Sequence, residues 1–218
     1  MTETPAPYWD NAYQQVDSLW GGRPGEALMD YAALVPPGEA LDLGLGEGRQ
    51  SAYFARRGHP VMGYDVSPVA VERCRQRARE ANLNIRAEVS DIRAVTIEPE
   101  RYALIIAAWT LQFLRKGEGE AIVANAMRGL KPGGLLYLSV FSTEDPSCQR
   151  ALKNLEPVED NTFIFPKDNL LMHFFTPADI AALCAALKPI SFVHGTRLDL
   201  GHGEPHEHGF ISYLGQRV

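Results

Sequence analysis

The chain has 218 residues, 45% hydrophobic and 22% charged, with a formal net charge of −6. A chain of this length buries roughly 70% of the surface it exposes when unfolded, enough for one sizeable core without staples. That composition excludes disorder, collagen and a disulfide-dense scaffold, and the acidic balance argues against a nucleic-acid partner. Cys74, Cys148 and Cys184 are widely spaced and form no CxxC pair, so neither a zinc site nor a disulfide framework is expected. Met1 to Tyr8 carries no basic segment followed by an apolar run, and no apolar run approaches the ~20 residues of a membrane span. No membrane partner is expected, and the cytoplasm is the expected location.

The first 35 residues mix aromatics (Tyr8, Trp9, Tyr13, Trp20) with helix formers, and read as one or two helices broken at Gly21–Gly25. Residues 1–37 are thus expected to be an N-terminal helical cover. An alternation follows: a strand over Ala40–Leu45, a helix over Gln50–Arg57, a strand over Val61–Tyr64 closing on Asp65. Ser67-Pro68 opens a helix to about Ala81. Its arginines (Arg73, Arg75, Arg77, Arg79) read as a solvated face. Strands over Ile85–Val89 and Tyr102–Ala108, a helix over Glu118–Leu130, a Lys131–Gly134 turn and a strand over Leu135–Phe141 complete the series. Such alternation predicts an α/β fold, a doubly wound and mostly parallel sheet with helices on both faces. Residues 142–171 are polar and irregular, and read as a flap over the sheet end that carries Phe163 and Phe165. Thr176-Pro177 starts a further helix. Phe192–Leu200 and Phe210–Leu214 read as a closing hairpin at the sheet edge around Gly201–Pro205. No domain boundary is expected within 1–218.

The most informative motif is Leu41-Asp42-Leu43-Gly44-Leu45-Gly46-Glu47-Gly48-Arg49. Alternate glycines between a strand and a helix let the backbone bend sharply and touch a ligand beside unpaired helix N–H groups. Asp65, ending the next strand, stands where a carboxylate meets a ribose in doubly wound folds, or it caps the following helix. Asp91 either reaches an adenine edge or sits in an exposed turn. A dinucleotide fold expects G-x-G-x-x-G facing a pyrophosphate. Here the pattern is G-x-G-x-G, flanked by Asp42 and Glu47. Carboxylates repel phosphate and tolerate a cation, which suits an adenosine ligand with a positive centre.

These residues, with Ser90-Asp91-Ile92 and Leu130-Lys131-Pro132-Gly133-Gly134, resemble the class I S-adenosylmethionine-dependent methyltransferases over about Ala40–Phe141. The resemblance implies a seven-stranded sheet with a reversed last hairpin. It implies S-adenosylmethionine as cofactor and S-adenosylhomocysteine as product, bound by Asp42, Gly44, Gly46, Gly48, Asp65, Val66, Asp91, Ile92, Ala107 and Trp109. Trp109 reads either as a site residue or as core, and Ala103 departs from the aspartate common in that family. Tyr8-Trp9-Asp10, Trp20–Pro24, Phe174–Thr176 and Glu204–Gly209 are similar to segments of the tellurite-resistance and thiopurine-type methyltransferase group.

Methyl transfer from a sulfonium needs alignment and a dry site rather than an acid; a soft nucleophile dispenses with a base, and an oxygen or nitrogen nucleophile often needs one. His206 and Arg197 are the candidate catalytic residues, for proton transfer or charge stabilisation. His206 and His208 share one strand face; they are readable as a substrate-facing pair, a surface cluster or a metal site lacking a clear third ligand, and no metal is expected. The expected substrate is a small soft nucleophile, a chalcogen oxyanion or a thiol. The aromatic set of the first 20 residues either shields a cation or packs an N-terminal helix.

Overall fold

The computed structural model describes residues 6–199 and 205–218. Helices α1 (Ala6–Gln14) and α2 (Glu26–Asp30) precede strand β1 (Ala40–Leu43). There follow α3 (Arg49–Ala55), β2 (Val61–Asp65), α4 (Pro68–Glu80), β3 (Ile85–Val89), β4 (Tyr102–Ala108), α5 (Lys116–Gly129) and β5 (Leu130–Phe141). The C-terminal part adds α6 (Pro146–Asn154), β6 (Thr162–Phe165), β7 (Leu170–His173), α7 (Pro177–Leu183), β8 (Lys188–Asp199) and β9 (His206–Gln216).

Every β1 residue is buried, as are the first six of β4. Strands covered on both faces need such continuous apolar runs. Alternation sorts their side chains: Leu41, Leu43, Ile105 and Ala107 join one core with α5 and α7. Ala40, Leu104 and Ile106 join a second core with Leu28 and Phe54. The seven-stranded sheet runs β3-β2-β1-β4-β5-β9-β8. The first five strands are mutually parallel, and β9 is antiparallel to both neighbours. The mostly parallel doubly wound sheet and reversed hairpin are therefore present. The closing antiparallel pair does lie at the sheet edge: β9 pairs with β5 along Leu135–Phe141 and leaves β8 as the exposed rim. Its longer buried run, Tyr213 to Gly215, suits that inner place. The Lys131–Gly134 turn lies inside β5 as an irregularity in its pairing with β4, because Leu130 already pairs with Tyr102.

Residues 142–171, irregular in the sequence reading, hold a helix and two short strands. Asp145 caps α6 through Ser147 N, with Pro146 in the first turn. β6 and β7 form a separate antiparallel pair. Cys148, Ala151, Phe163 and Phe174 pack into a core of their own, with Phe163 fully buried. Phe163 is thereby unavailable to close over a ligand.

The chain visits β1, β2 and β3 in one direction, then returns to β4 on the other side of β1. Such a reversal opens a crevice at the carboxyl ends of β1 and β4, where ligands bind in open α/β sheets.

Candidate active site

A cleft of about 890 Å³, counting its open mouth, occupies that crevice. Its size is that of an ordinary small-molecule site. Its floor comes from the loop after β1 (Gly44, Leu45, Gly46, Glu47), its sides from Asp65 and Val66, Ser90–Ile92 and Ala108–Thr110. Trp9, Tyr13 and Trp20 roof it.

Gly44, Gly46 and Gly48 all have positive φ, at 77°, 54° and 79°, which L side chains rarely adopt. A Cβ on Gly44 would strike the Thr110 side chain, and one on Gly48 the Cys74 sulfur. The glycines thus fit the turn between β1 and α3 to its neighbours, and their form alone does not require a ligand.

Asp65 holds the loop in shape. One carboxylate oxygen accepts Gly46 N–H at 2.8 Å, the other accepts Ser67 N–H at 2.9 Å. Asp65 lines the cleft and also steadies the start of α4, whose N-cap is Ser67. Burial pushes its carboxyl above the usual range, against the pull of the backbone bonds. Asp42 is buried in β1 and accepts Ser51 Oγ–H at 2.7 Å. Burial raises it to about 6, against the Ser51 bond and with further upward pressure from Asp65.

Glu47 departs from expectation. Arg73 at 3.1 Å and Arg77 at 3.2 Å neutralise one carboxylate oxygen, while the other accepts Ser18 Oγ–H and Leu19 N–H. It ties the N-terminal segment and α4 to the glycine loop instead of lending the cleft a free charge. On the partly solvated arginine face of α4, Arg73 and Arg77 thus reach back to the glycine loop. Arg49 adds a second tie, donating to Trp20 O at 3.0 Å. Asp10 of α1 accepts the Ser67 hydroxyl at 2.5 Å. The aromatics pack as a roof: Trp9 meets Phe113 edge-on at 4.7 Å, and Trp20 Nε1–H donates to the Tyr13 hydroxyl at 3.1 Å.

Asp91 lines the cleft, but Arg93 holds its carboxylate, and these bonds outweigh burial to keep it below the usual range. Ile92 and Val66 offer apolar walls. Gly48 and Ala107 fall outside the lining: Gly48 caps α3 beside Cys74, and Ala107 points into the first core. Trp109 does line the cleft, and its φ of 59° is unusual for so bulky a residue. Backbone held there costs about 1–3 kcal/mol, and such outliers cluster at functional sites.

Arg197 and His206 are not in the lining. Arg197 lays its guanidinium 5.1 Å from the Trp109 ring centre. His208 stacks on Phe141 at 4.8 Å, and Phe141 lies 5.1 Å from Trp109. His206 reaches His208 with 2.9 Å between their Nε2 atoms. Leu200, His202 and most of the Gly201–Pro205 turn, with Glu204 of the last motif, lie outside the described residues, as does the Met1–Pro5 start.

Two residues escaped the sequence reading. Gln50 lines the cleft, is 5% exposed, and its Oε1 has no hydrogen-bond partner. An orphaned buried acceptor is costly, which suits a ligand that supplies a donor; its place directly after the glycine motif was the available signal. Asp145, 2% exposed, binds His208 Nδ1 at 2.9 Å across 63 residues of sequence, and no spacing rule could have found it.

The donor set fits a ligand bearing hydroxyl and ammonium groups: Asp65 and Gln50 accept, apolar walls take a flat ring, and Asp42 and Asp65 disfavour phosphate. The comparisons agree. Residues 40–134 match the family model described as a methyltransferase domain. Over that stretch, a little under half of its length, the chain is similar to methyltransferase domains. It is 30% identical over 122 residues to the probable S-adenosyl-L-methionine-dependent methyltransferase TehB of Haemophilus influenzae, covering 56% of this chain and 42% of that protein. It is 38% identical over 127 residues to the carboxy-S-adenosyl-L-methionine synthase of Klebsiella pneumoniae, covering 55% and 51%. The chain thus spans about half the length of the curated relatives it matches. Among solved structures, the 1,6-didemethyltoxoflavin-N1-methyltransferase of Burkholderia thailandensis, with bound S-adenosylhomocysteine, shares the fold. It superposes with a TM-score of 0.71 at 19% identity, covering 99% of this chain and 88% of that one. No helix among the described residues is long and apolar enough to cross a membrane.

Proposed function

We propose that the chain transfers the methyl group of S-adenosylmethionine to a small-molecule acceptor that enters beside Trp109. The observation that carries this reading is the Asp65 carboxylate set into a cleft at the β1/β4 crevice together with the glycine loop. The cofactor supplies an electrophilic methyl on a sulfonium. Asp65 would accept the ribose hydroxyls, Ile92 and Val66 would flank the base, and Gln50 Oε1 would accept from the amino group. Gly44 and Gly46 would pass along the methionine part, with Asp42 beneath. The Trp9–Tyr13–Trp20 roof excludes water, and Trp109 bounds the space where nucleophile and methyl must align.

The acceptor is a small soft nucleophile, a thiol or chalcogen oxyanion; similarity to the tellurite-resistance group supports this. The Asp145–His208–His206 contacts favour a second reading, an acceptor with an oxygen or nitrogen nucleophile, since those need a base. Calorimetry with S-adenosylhomocysteine and with NADH is the first test. Binding of the former alone is expected; binding of NADH alone would overturn the reading. Production of S-adenosylhomocysteine from S-adenosylmethionine with a panel of thiols, phenols, N-heterocycles and selenite then sorts the acceptor classes.

A further inference from the structure

Two consecutive side chains in the cleft lining are incompletely engaged. Arg49, the first residue of α3, is part-buried and donates one hydrogen bond, from Nη1 to Trp20 O at 3.0 Å. It makes no ion pair among the described residues, although burial works against its charge and pulls the guanidinium below its usual range. The charged or ionisable groups around it are Asp42 of β1, Tyr13 of α1, Tyr137 of β5 and Arg197 of β8. Asp42 is the one carboxylate among them, and it bonds Ser51 and not Arg49. A guanidinium carries five N–H donors in a fork that matches a carboxylate, so most of the capacity of Arg49 is unspent.

Gln50 has the opposite lack. It is buried, it lines the same cleft, and its Oε1 receives no donor. A cation without its anion and an acceptor without its donor, on adjacent residues, fit the two poles of one group. That group is an α-amino-acid zwitterion, with its carboxylate on Arg49 and its ammonium on Gln50 Oε1. Hydroxyls alone would satisfy Gln50 and leave Arg49 unpaired. A phosphate would pair with Arg49 and leave Gln50 Oε1 facing further acceptors.

We propose that Arg49 and Gln50 together recognise a free α-amino-acid end on the ligand, so that the cleft discriminates against nucleosides of the same base, ribose and sulfur that lack it. The inference rests on the methyltransferase reading above and extends it from Gln50 to Arg49. It also bears on which bond is free to break. A sulfonium carries three carbon arms. Asp65 holds the nucleoside arm and Arg49 with Gln50 the amino-acid arm, which leaves the methyl as the arm that no polar group grips.

The test compares S-adenosylhomocysteine with methylthioadenosine, which keeps the nucleoside and the thioether and lacks the amino-acid end. Calorimetry on the full chain should show S-adenosylhomocysteine binding about 100-fold tighter or more. Arg49→Gln should weaken it about 10–100-fold and leave methylthioadenosine within about twofold. Arg49→Lys, which keeps the charge without the fork, should recover part of the loss. Gln50→Met should weaken S-adenosylhomocysteine about tenfold and likewise spare methylthioadenosine. Arg49 also fastens the roof through Trp20 O and borders a groove between α3 and α4. Loss of the fastening alone would weaken both nucleosides alike, and a guanidinium serving the groove would leave both unchanged; either result would overturn the proposal. Equal binding of the two nucleosides by the parent would sink this inference alone, whereas binding of neither would sink the cofactor reading beneath it.

Discussion

At Asp65 one carboxylate serves the loop, the start of α4 and the cleft together, and substitutions there separate those duties. Asp65→Asn keeps one accepting oxygen but turns an NH2 donor toward the Gly46 or the Ser67 amide, so it should weaken S-adenosylhomocysteine about tenfold by calorimetry, or about 1.4 kcal/mol, and cost about 1–3 kcal/mol of stability. Asp65→Ala also strands the Gly46 and Ser67 amides, at about 1–3 kcal/mol each, so it should lower stability as well. Asp42 gives a pH test. Its carboxyl at about 6 lies above an unfolded value near 3.8, so the folded chain holds the proton more tightly. That contribution is complete below the unfolded value and is lost as pH rises through about 6. Asp42→Asn, which can still accept from Ser51, should flatten the fall in stability between pH 4 and 6 seen by chemical denaturation. Near pH 7.5 it should gain up to about 3 kcal/mol. Asp65 was legible from its spacing to the glycines. The occupation of Glu47 was not, because its arginines lie a helix away and only packing brings them in.

Among the elements, the N-terminal cover is pinned by Asp10 to the start of α4, by Arg49 to Trp20 O, and by Glu47 to Ser18 and Leu19. Glu47→Gln should leave Arg73 and Arg77 without their carboxylate. Because both arginines are partly solvated, the expected loss is about 1–3 kcal/mol, below the cost of breaking a fully buried pair. Limited proteolysis should cut before residue 25 sooner in that variant than in the parent. The alternating elements were readable because each carries a long apolar run or a clear cap, such as Ser67-Pro68 and Thr176-Pro177. The α6–β7 stretch was not, since two four-residue strands give too little periodicity, although Asp145-Pro146 carried a helix-start signal. Phe163→Ala should cost about 3–5 kcal/mol by denaturant unfolding, the usual penalty for emptying a phenylalanine site, because the phenyl ring is fully buried in that small core.

At the scale of the molecule, alternation gave the parallel sheet, and its reversal at β1/β4 located the cleft. Strand order was legible only in part, since nothing in the sequence distinguishes an inner β9 from an edge β9 without knowing that β5 lacks another neighbour. A ligand that binds only the folded chain raises its stability by about 2.7 kcal/mol at a concentration of 100 Kd. For a chain of this size that is a melting shift of about 5–10 °C. S-adenosylhomocysteine should produce it, and NADH at the same concentration should not.

The roof over the cleft is fastened largely by charge. Glu47 and its two arginines grip the very loop on which the nucleoside would rest, so departure of the spent nucleoside would require those fastenings to part. Added potassium chloride, which screens them, should therefore shorten its residence time in stopped-flow displacement, and Glu47→Gln should make that rate nearly indifferent to ionic strength.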